Sequence, residues 1–523
     1  MLNQQKQPVP AADVQLLAPG EKGPLSAAQT HPDESYILSF PKSLPEGAYI
    51  LFKRSHYKTE RMNLNAQQIK EISSGETVVL PDLTLPLQIG EAFWAATAIF
   101  TLMLVLIAAG NLHNTLAALL CAVLMFGISY LGKLISLDLF IFSFGEAVSY
   151  VDWNVIFLVM GMMIVIAVVE ETGIFQWLAF FAYRASRGRM WLLMVVLMLI
   201  AGIASAFLDN VTTMLLMTPI TIRIAIALEM NPLALLMPEV MASNIIGIST
   251  LIGTPTNILI GSYAGLTFND FLVNQTPGVL LAFLALILYS FFIYRKELNA
   301  AIDVSPDLYA ELEEGAQINQ PELLKKAAWV GAGMLILFVT GESINLKPAV
   351  TALLGATALL IWIRPDVEET IEAVDWPTLI FFVSLFIVVG GIQEVGMISL
   401  IANFSGKLVG QNLVLAMLVI TWFSALLSTT VANIPFTAAM LPVVAFLSGN
   451  IPAASNKVLY YCLSVGSAMG GNGSLIASSA NMVTAGISKR AGYTISYMYF
   501  LKKGVPVLIF TVGLAFLWLL LRF

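Results

Sequence analysis

Cysteine, histidine and charge are scarce in this sequence of 523 residues. The two cysteines, Cys121 and Cys462, both lie in apolar stretches, which argues against a disulfide framework and against a cysteine metal site. The three histidines are too few and too scattered for a zinc motif, and no G-x-x-x-x-G-K-[ST] phosphate loop occurs. The net charge of -7 offers no basic surface for nucleic acid. We therefore expect no enzyme activity, no cofactor and no nucleic-acid partner.

Apolar residues dominate instead. Hydrophobic side chains make up 58% of the sequence, charged ones 11%, and the mean hydropathy is +0.83. Such a composition is typical of a polytopic protein embedded in membrane lipid. Apolar runs of membrane-spanning length lie at about residues 92–110, 115–131, 153–169, 190–208, 212–228, 239–266 and 277–294, and again from 327 to the C-terminus. We expect a multi-pass protein of the plasma membrane.

The first 90 residues have a different composition. Residues 1–33 are rich in Pro, Gln, Ala and Gly, which predicts a disordered tail. Three strand-like runs follow, "SYILSF", "GAYILFKRS" and "ETVVLPDL", and turn residues separate them. Residues 34–85 are therefore predicted to form a small β-rich soluble domain.

An internal repeat organises the membrane part of the chain. "VDW" occurs at residues 151–153 and again at residues 374–376, an offset of 223. The same offset pairs Asn210 in "DNVTTMLLMTP" with Asn433 in "ANIPFTAAMLP". A register that holds over such distances predicts a duplicated unit.

The second half of the unit repeats one residue later in register. At an offset of 224, "GISTLIGTPTN" (residues 247–257) pairs with "GNGSLIASSAN" (residues 471–481). The sequence thus predicts two copies of one membrane unit, residues 92–294 and residues 327–523, joined by a polar linker at residues 295–326.

Each copy is predicted to contain five spans and one re-entrant hairpin. The runs at 190–208 and 212–228 meet at the polar tip "LDNVTT" with no room for an aqueous loop, which favours two arms of one hairpin. Glycine and proline in the stretch from Gly253 to Asn257 predict that the helix at 239–266 unwinds there. An odd number of spans inverts the second copy, as in many secondary transporters. The predicted fold is an all-α polytopic membrane protein with two inverted repeats and a small N-terminal β-rich domain.

Positive charge predicts the orientation of this arrangement. One side of the membrane collects twelve basic residues: Arg184, Arg187, Arg189, Arg295, Lys296, Lys325, Lys326, Arg364, Lys489, Arg490, Lys502 and Lys503. The other side collects five: Lys133, Lys347, Lys407, Lys457 and Arg522. The first side is predicted to be cytoplasmic, with both chain ends outside. A long N-terminal tail would then cross without a signal peptide, so either the first span is a reverse anchor or the span count is off by one.

Polar residues gather at four interruptions, the two hairpin tips and the two broken helices. Non-helical backbone at membrane depth is tolerated where it lines protein or a wet cavity. Half-helix N-termini attract anions, while free carbonyls, amides and hydroxyls replace the hydration shell of sodium. The predicted binding residues for a small ion are Asp209, Asn210, Thr212, Thr213, Gly253, Thr254, Pro255 and Asn257 in the first copy, and Asn433, Pro435, Thr437, Ser474, Ser478, Ser479 and Asn481 in the second.

Asp209 is the only carboxylate at a predicted tip, and it is suited to bind a cation or to carry a proton. With Asn210 and Asn433 it forms the predicted ligand set for a coupling sodium ion. Asn, Ser and Thr in membrane helices also bond to neighbouring helices or cap helix ends, which is the structural alternative for each of these residues. Glu394, at the end of an apolar segment, is expected to be solvated.

Three motifs resemble a known group of transporters. "SAFLDNVTTMLLMTPITIR", "LIGTPTNILI" and "GGNGSLIASSANMVTAGISKRAGY" are similar to the ion transporter superfamily, in particular its P-protein permease branch, which is related to arsenite permeases and to citrate and divalent-anion/sodium symporters. The resemblance covers about residues 92–523. It implies inverted repeats, tip asparagines at Asn210 and Asn433, a homodimer and elevator-type movement. The chain departs from the pattern at Ala432, where relatives commonly carry a second tip aspartate.

We therefore expect a secondary active transporter of small ions, with inorganic or carboxylate anions coupled to sodium or protons as the leading hypothesis. A sodium/proton antiporter and an arsenite efflux permease are alternatives within the class, although no cysteine pair offers thiolates to arsenite. A membrane sensor with an external ligand-binding domain is the alternative of another class. Matched interruptions in both copies favour the transporter, since a sensor needs no second site.

Overall fold

Long apolar helices form most of the fold. The computed structural model describes residues 2–3, 12–19, 23–31, 35–39, 44–54, 56–86, 88–110, 112–298 and 318–523. Within these ranges, nine helices are long and apolar enough to cross a membrane: Glu91–Ala109, Asn114–Leu134, Trp153–Glu170, Met190–Phe207, Asn210–Ala227, Thr276–Ile293, Pro321–Ile344, Trp376–Glu394 and Tyr497–Arg522.

Shorter helices complete the described part of the chain. They are Ala66–Ser73, Phe144–Ser149, Ile174–Ser186, Leu233–Ile246, Pro255–Ala264, Phe268–Asn274, Arg295–Leu298, Pro348–Ile363, Val367–Glu372, Met397–Val409, Leu413–Ser428, Asn433–Asn450, Val458–Gly470 and Ser479–Arg490. The helix that begins at Pro321 shortens the polar linker predicted at residues 295–326, because proline is well tolerated in the first turn of a helix. Residues 299–317 of that linker lie outside the described ranges.

The same series of elements occurs in both predicted copies. A two-helix hairpin precedes a helix that is interrupted near its middle. The first hairpin comprises Met190–Phe207 and Asn210–Ala227, the first broken segment Leu233–Ile246 and Pro255–Ala264, the second hairpin Leu413–Ser428 and Asn433–Asn450, and the second broken segment Val458–Gly470 and Ser479–Arg490.

Hydrogen bonds between hairpin and broken segment recur at the repeat offset. The Ser205 hydroxyl donates to the Ser243 carbonyl at 3.1 Å, and the Ser428 hydroxyl donates to the Ser467 carbonyl at 2.6 Å. The donors differ by 223 positions and the acceptors by 224, the two offsets found in the sequence. The hairpin therefore packs on the broken segment through matching bonds in both copies. The inverted orientation of one copy against the other stays a prediction.

The first broken segment unwinds earlier than the sequence predicted. Its helix ends at Ile246, a 3-10 turn covers Gly247–Ser249, and the helix resumes at Pro255. Residues 255–257 are therefore helical, which corrects the prediction that the break runs from Gly253 to Asn257. The physical reason is that the first turn of a helix does not need the N–H that proline lacks.

Two helices that the sequence reasoning missed precede the hairpins. They are Ile174–Ser186 and Met397–Val409, each 13 residues long. In the first, Phe175, Ala179 and Ala182 lie on one buried face at the spacing of an amphipathic helix. The apolar stripe is too narrow to register as a run of spanning length, so only the helical period could have revealed these helices.

A four-stranded antiparallel sheet lies near the N-terminus. Its strand order is Ser26–Gln29, Asp13–Leu17, Tyr49–Lys53 and Glu60–Asn63. The first two strands fall inside residues 1–33, so the prediction of a disordered tail is wrong for them. The alternation in "DVQLL" places Val14 and Leu16 in the core, a signal that the polar flanking composition obscured. A separate soluble domain at residues 34–85 stays a prediction.

Only one of the three strand-like runs forms a strand. "GAYILFKRS" contains Tyr49–Lys53, whereas residues 35–39 and 76–83 contain no strand. A second, two-residue pairing joins Leu2–Asn3 to Thr84–Leu85 in parallel. The sheet belongs to a compact unit that also includes Ala122–Val148 and Val388–Phe404.

Within this unit, Arg54 holds two carboxylates. Its guanidinium lies 2.9 Å from Glu394 and 3.6 Å from Glu146, and the Glu394 side chain is only 10% exposed. The expectation that Glu394 is solvated is therefore wrong, because an arginine from the N-terminal region covers it. Burial raises the pKa of Glu146, but hydrogen bonds from Ser143 and the Arg54 charge together outweigh burial and lower this pKa below its ordinary value.

Candidate functional site

Both hairpin tips and both broken segments open onto one cavity of about 640 Å³. Six of the fifteen predicted binding residues line it: Asp209, Thr212, Pro255, Asn433, Pro435 and Ser479. In each case the residue is the cap or lies in the first turn of a helix, so four helix N-termini face the cavity. Aligned peptide dipoles make such N-termini favourable for negative charge.

Asp209 caps the first hairpin tip. One carboxylate oxygen accepts from the backbone N–H of Val211 at 2.8 Å and of Thr212 at 3.0 Å, and the other accepts from the Thr212 hydroxyl at 2.5 Å. These bonds satisfy helix donors that would otherwise lack partners and fix the carboxylate at the cavity wall. A fixed carboxylate that lines a cavity and keeps a free acceptor site is suited to bind a cation.

The second tip has no such cap. Ala432 occupies the cap position of Asn433–Asn450 and Ser478 that of Ser479–Arg490, and neither of these two side chains caps its helix. The Asn433 N–H donates to the Ala477 carbonyl at 3.3 Å, which joins the tip to the second broken segment. The first half of the cavity therefore presents a carboxylate, and the second presents two helix N-termini without side-chain caps.

The charged lining of the cavity is acidic. Asp209 and Asp375 line it together with His113, and the described lining residues include no lysine or arginine. Asp375 accepts from the backbone N–H of Thr378 at 3.2 Å and from its hydroxyl at 2.5 Å. The sequence reasoning missed Asp375 and His113 as cavity residues, because both precede apolar segments far along the chain from the tips. Among described residues, no cluster of three or more His, Cys, Asp or Glu forms a metal site.

Behind the cavity wall lies a group that we name the asparagine cluster: Asn210, Asn244, Asn472, Ser478 and Asn481. Asn244 is at its centre and is 1% exposed. Its carbonyl oxygen accepts from Asn210 at 2.8 Å and from Ser478 at 3.1 Å, and its amide donates to Asn472 at 2.9 Å and to Asn481 at 3.0 Å. Asn244 thus joins the first hairpin tip to the second broken segment.

Asn257 and Asn481 hold the broken loops rather than face the cavity. The Asn257 amide donates to loop carbonyls at 2.9 and 2.7 Å, and the Asn481 amide donates to loop carbonyls at 2.8 and 3.0 Å. Their carbonyl oxygens accept from Ser464 at 2.5 Å and from Asn244 at 3.0 Å. Each side chain uses both of its donors on loop carbonyls and accepts one bond from the protein, so both shape the loops from behind.

Nine of the fifteen predicted residues lie behind the cavity wall. They are Asn210, Thr213, Gly253, Thr254, Asn257, Thr437, Ser474, Ser478 and Asn481, and none of them contributes to the described lining. Gly253 packs so tightly that a Cβ atom there would lie 2.3 Å from the Gly247 carbonyl oxygen. Of the predicted sodium ligands, Asp209 and Asn433 line the cavity, whereas Asn210 is bonded to Asn244.

Glu239 is a buried carboxylate that the sequence reasoning missed. It lies in the helix Leu233–Ile246 with no exposed surface, and the Thr221 hydroxyl donates to its Oε1 at 3.1 Å. Among described residues, Oε2 has no hydrogen-bond partner. The signal was present in the sequence, since a carboxylate at the start of a long apolar run marks a functional candidate.

Comparison with known proteins identifies the family. The profile of the citrate transporter (CitMHS) family matches residues 102–466. The chain belongs to the citrate transporter family. An uncharacterized transporter of Mycobacterium tuberculosis is 38% identical over 434 residues, which cover 82% of this chain and 98% of that protein. The P protein of Homo sapiens is 32% identical over 505 residues, which cover 81% of this chain and 59% of that protein.

These relatives confirm the resemblance to the P-protein branch of the ion transporter superfamily. They show that this citrate transporter family member is an integral multi-pass membrane transporter. Among solved structures, the YdaH transporter of Alcanivorax borkumensis is similar at a TM-score of 0.49 and 14% identity, over 82% of this chain and 97% of that chain.

Proposed function

We propose that the protein carries small carboxylate anions, with citrate as the first candidate, together with a cation. The observation behind this proposal is the lining of the cavity. Four helix N-termini and two aspartates line it, and the described lining residues include no lysine or arginine. Helix N-termini favour an anion, but aspartates repel an anion unless a cation lies between the anion and the aspartates. An anion and a cation bound together satisfy both features.

The two halves of the cavity suggest separate positions for the two ions. The anion binds at the second half, where the helices that begin at Asn433 and Ser479 have no side-chain cap and where Ala432 adds no charge. The cation binds at Asp209 in the first half. This division accounts for the departure at Ala432, since a second aspartate there would repel the carboxylates of the substrate.

The movement that we propose is of the elevator type, with two inverted repeats. The asparagine cluster supports it, because Asn244 bonds the first hairpin to the second broken segment and so favours movement of both as one block. Following the family resemblance, we also propose a homodimer in the plasma membrane.

A sodium/proton antiporter is the second candidate. It is favoured by the acidic lining alone, because Asp209 and Asp375 at one cavity suit cations without an anion. The uncapped helix N-termini of the second half have no role in such an exchanger, which is why the anion transporter ranks first.

Reconstitution into liposomes tests the proposal. Labelled citrate is offered under imposed sodium gradients, imposed pH gradients and no gradient, and Asp209→Asn is compared with Glu170→Gln, an exposed carboxylate at the end of a span. We expect cation-driven uptake in the wild type and in Glu170→Gln, and its loss in Asp209→Asn. Cation exchange without citrate uptake would establish the antiporter instead.

A further inference from the structure

Glu239 lies in a polar seam between the helices Asn210–Ala227 and Leu233–Ile246. Two side-chain hydrogen bonds join these helices, Asn210 to Asn244 at 2.8 Å and Thr221 to Glu239 at 3.1 Å. Three more polar atoms on the same two helices are buried and have no partner among described residues: Thr213 Oγ1, Ser243 Oγ and Glu239 Oε2. Unpaired buried polar atoms are rare in native proteins, and an unpaired oxygen on a buried carboxylate in particular calls for a reason.

Among described residues, no cationic side chain pairs with Glu239. The charged or titratable side chains on the helices packed against Leu233–Ile246 are Arg223, Tyr289, Tyr460, Tyr461, Cys462, Lys489 and Arg490. None of these described side chains forms an ion pair or a hydrogen bond with Glu239, which accepts its one side-chain hydrogen bond among described residues from Thr221. An ionised carboxylate in this position is costly, because the side chain has no exposed surface and no described side chain of opposite charge compensates for burial.

We propose that Glu239 is a proton-binding site of the transport cycle, separate from the cation position at Asp209. A proton suits the site better than a metal ion, since hard cations require several oxygen ligands and the carboxylate has one hydrogen-bond partner among described residues, the Thr221 hydroxyl. The proposal rests on the proposed function, because it adds a proton at Glu239 to the transport of the anion with the cation at Asp209. It gives Thr221 the role of a positioning residue.

The position of Glu239 along its helix suits proton exchange. Glu239 lies six positions after the helix start at Leu233, about 9 Å along the helix axis, and five positions before Asn244, about 8 Å along the axis. Glu239 therefore lies between the asparagine cluster behind the cavity and the loop at residues 228–232. The Ser243 hydroxyl, one turn away on the same helix face, is a free partner on the cavity side.

The test compares Glu239→Gln with the wild type in liposomes. Glutamine keeps the size and can accept the Thr221 bond but cannot release a proton. Glu229→Gln, an exposed carboxylate in the adjoining loop, is the matched control. Labelled citrate is followed in counterflow, which needs no gradient, and in uptake driven by a pH gradient. We expect Glu239→Gln to keep counterflow and to lose uptake driven by the pH gradient, while Glu229→Gln keeps both.

If Glu239→Gln keeps citrate uptake driven by the pH gradient, the proposal is overturned. It is also overturned if a pH gradient drives no citrate uptake by the wild-type protein. Absence of citrate counterflow in the wild type would count against the proposed function alone. Infrared spectra then report the protonation state of Glu239 in the absence of substrate. We expect a carboxylic-acid band that disappears as pH rises and that Glu239→Gln lacks. Identical spectra from both proteins at every pH would refute proton binding.

A second variant, which keeps the carboxylate, tests the proposal even if Glu239→Gln fails to fold. Thr221→Val removes only the hydroxyl that donates to Glu239. We expect it to displace the pH profile of citrate uptake, because the ionised form loses its single donor. An unchanged pH profile in folded Thr221→Val would contradict the role of Thr221.

Discussion

Asn244 offers the sharpest test of how the two copies are joined. Its replacement by leucine keeps a similar volume but removes four hydrogen bonds, those with Asn210, Asn472, Ser478 and Asn481. Because the site is 1% exposed, water cannot readily replace the lost partners. Each buried bond contributes about 1 kcal/mol, so the free energy of unfolding should fall by about 4 kcal/mol.

The corresponding shift in melting temperature follows from the size of the chain. An unfolding entropy of about 2.1 cal/mol/K per residue gives about 1.1 kcal/mol/K for 523 residues, so the midpoint should fall by about 4 °C. The shift is measured by heating samples of the detergent-solubilised protein to a series of temperatures and quantifying the folded protein that remains by size-exclusion chromatography. Citrate transport should be lost as well, since the cluster fixes the first tip against the second broken segment.

Two further variants make the reasoning refutable. Asn244→Asp keeps the shape but cannot donate to Asn472 and Asn481, so it should be at least as harmful as leucine. Asn154→Leu changes an exposed asparagine that bonds only to Asp152 and should leave the midpoint unchanged. If Asn244→Leu and Asn244→Asp both melt like Asn154→Leu, the cluster does not hold the copies together.

Three other outcomes can be checked. Asn433→Ala should abolish citrate uptake with an unchanged melting temperature, because its side chain lines the cavity at the second tip; normal uptake would remove that tip from the site. Gly253→Ala should destabilise the protein by about 3 kcal/mol, since its Cβ would meet backbone oxygens at 2.3 and 2.6 Å. The reverse change at the matched position, Ala477→Gly, should cost only about 1 kcal/mol. Equal melting temperatures for the two variants would contradict this packing. Cysteines at Lys58 and Lys325 should react with an impermeant reagent from opposite sides of the membrane, the first from outside, and reaction from one side would show an error of one in the span count.

The sequence was most informative where the physics of the membrane is strict. Apolar length predicted the long helices, and the polar tip "LDNVTT" predicted the two-residue junction between Phe207 and Asn210, because backbone at membrane depth must be satisfied within the protein. The repeat offset carried over to matched bonds of Ser205 and Ser428. These features depend on local composition and register, which a single sequence contains.

Features that depend on three-dimensional contact escaped the sequence reasoning. Asn244 and Glu239 lie in one helix, Leu233–Ile246, and their partners come from other segments of the chain. The carboxylate of Glu239 is visible in the sequence, but its burial beside Thr221 is not. Arg54 covers Glu394 across 340 positions. Asn257 was predicted as a ligand because of its residue type, and only the direction of its amide bonds shows that it holds its own loop.

The asymmetry of the asparagine cluster has a consequence for the origin of the protein. If the repeat arose by gene duplication, an ancestor with one copy per chain would have paired as a homodimer, and every substitution would have appeared twice around its symmetry axis. Fusion of the genes removes that constraint, so the position that matches Asn244 in the second copy can be Ala468, and the position that matches Asp209 can be Ala432. A fused chain can thus hold a carboxylate in one half of the cavity only, a difference between the halves that no symmetric dimer could evolve.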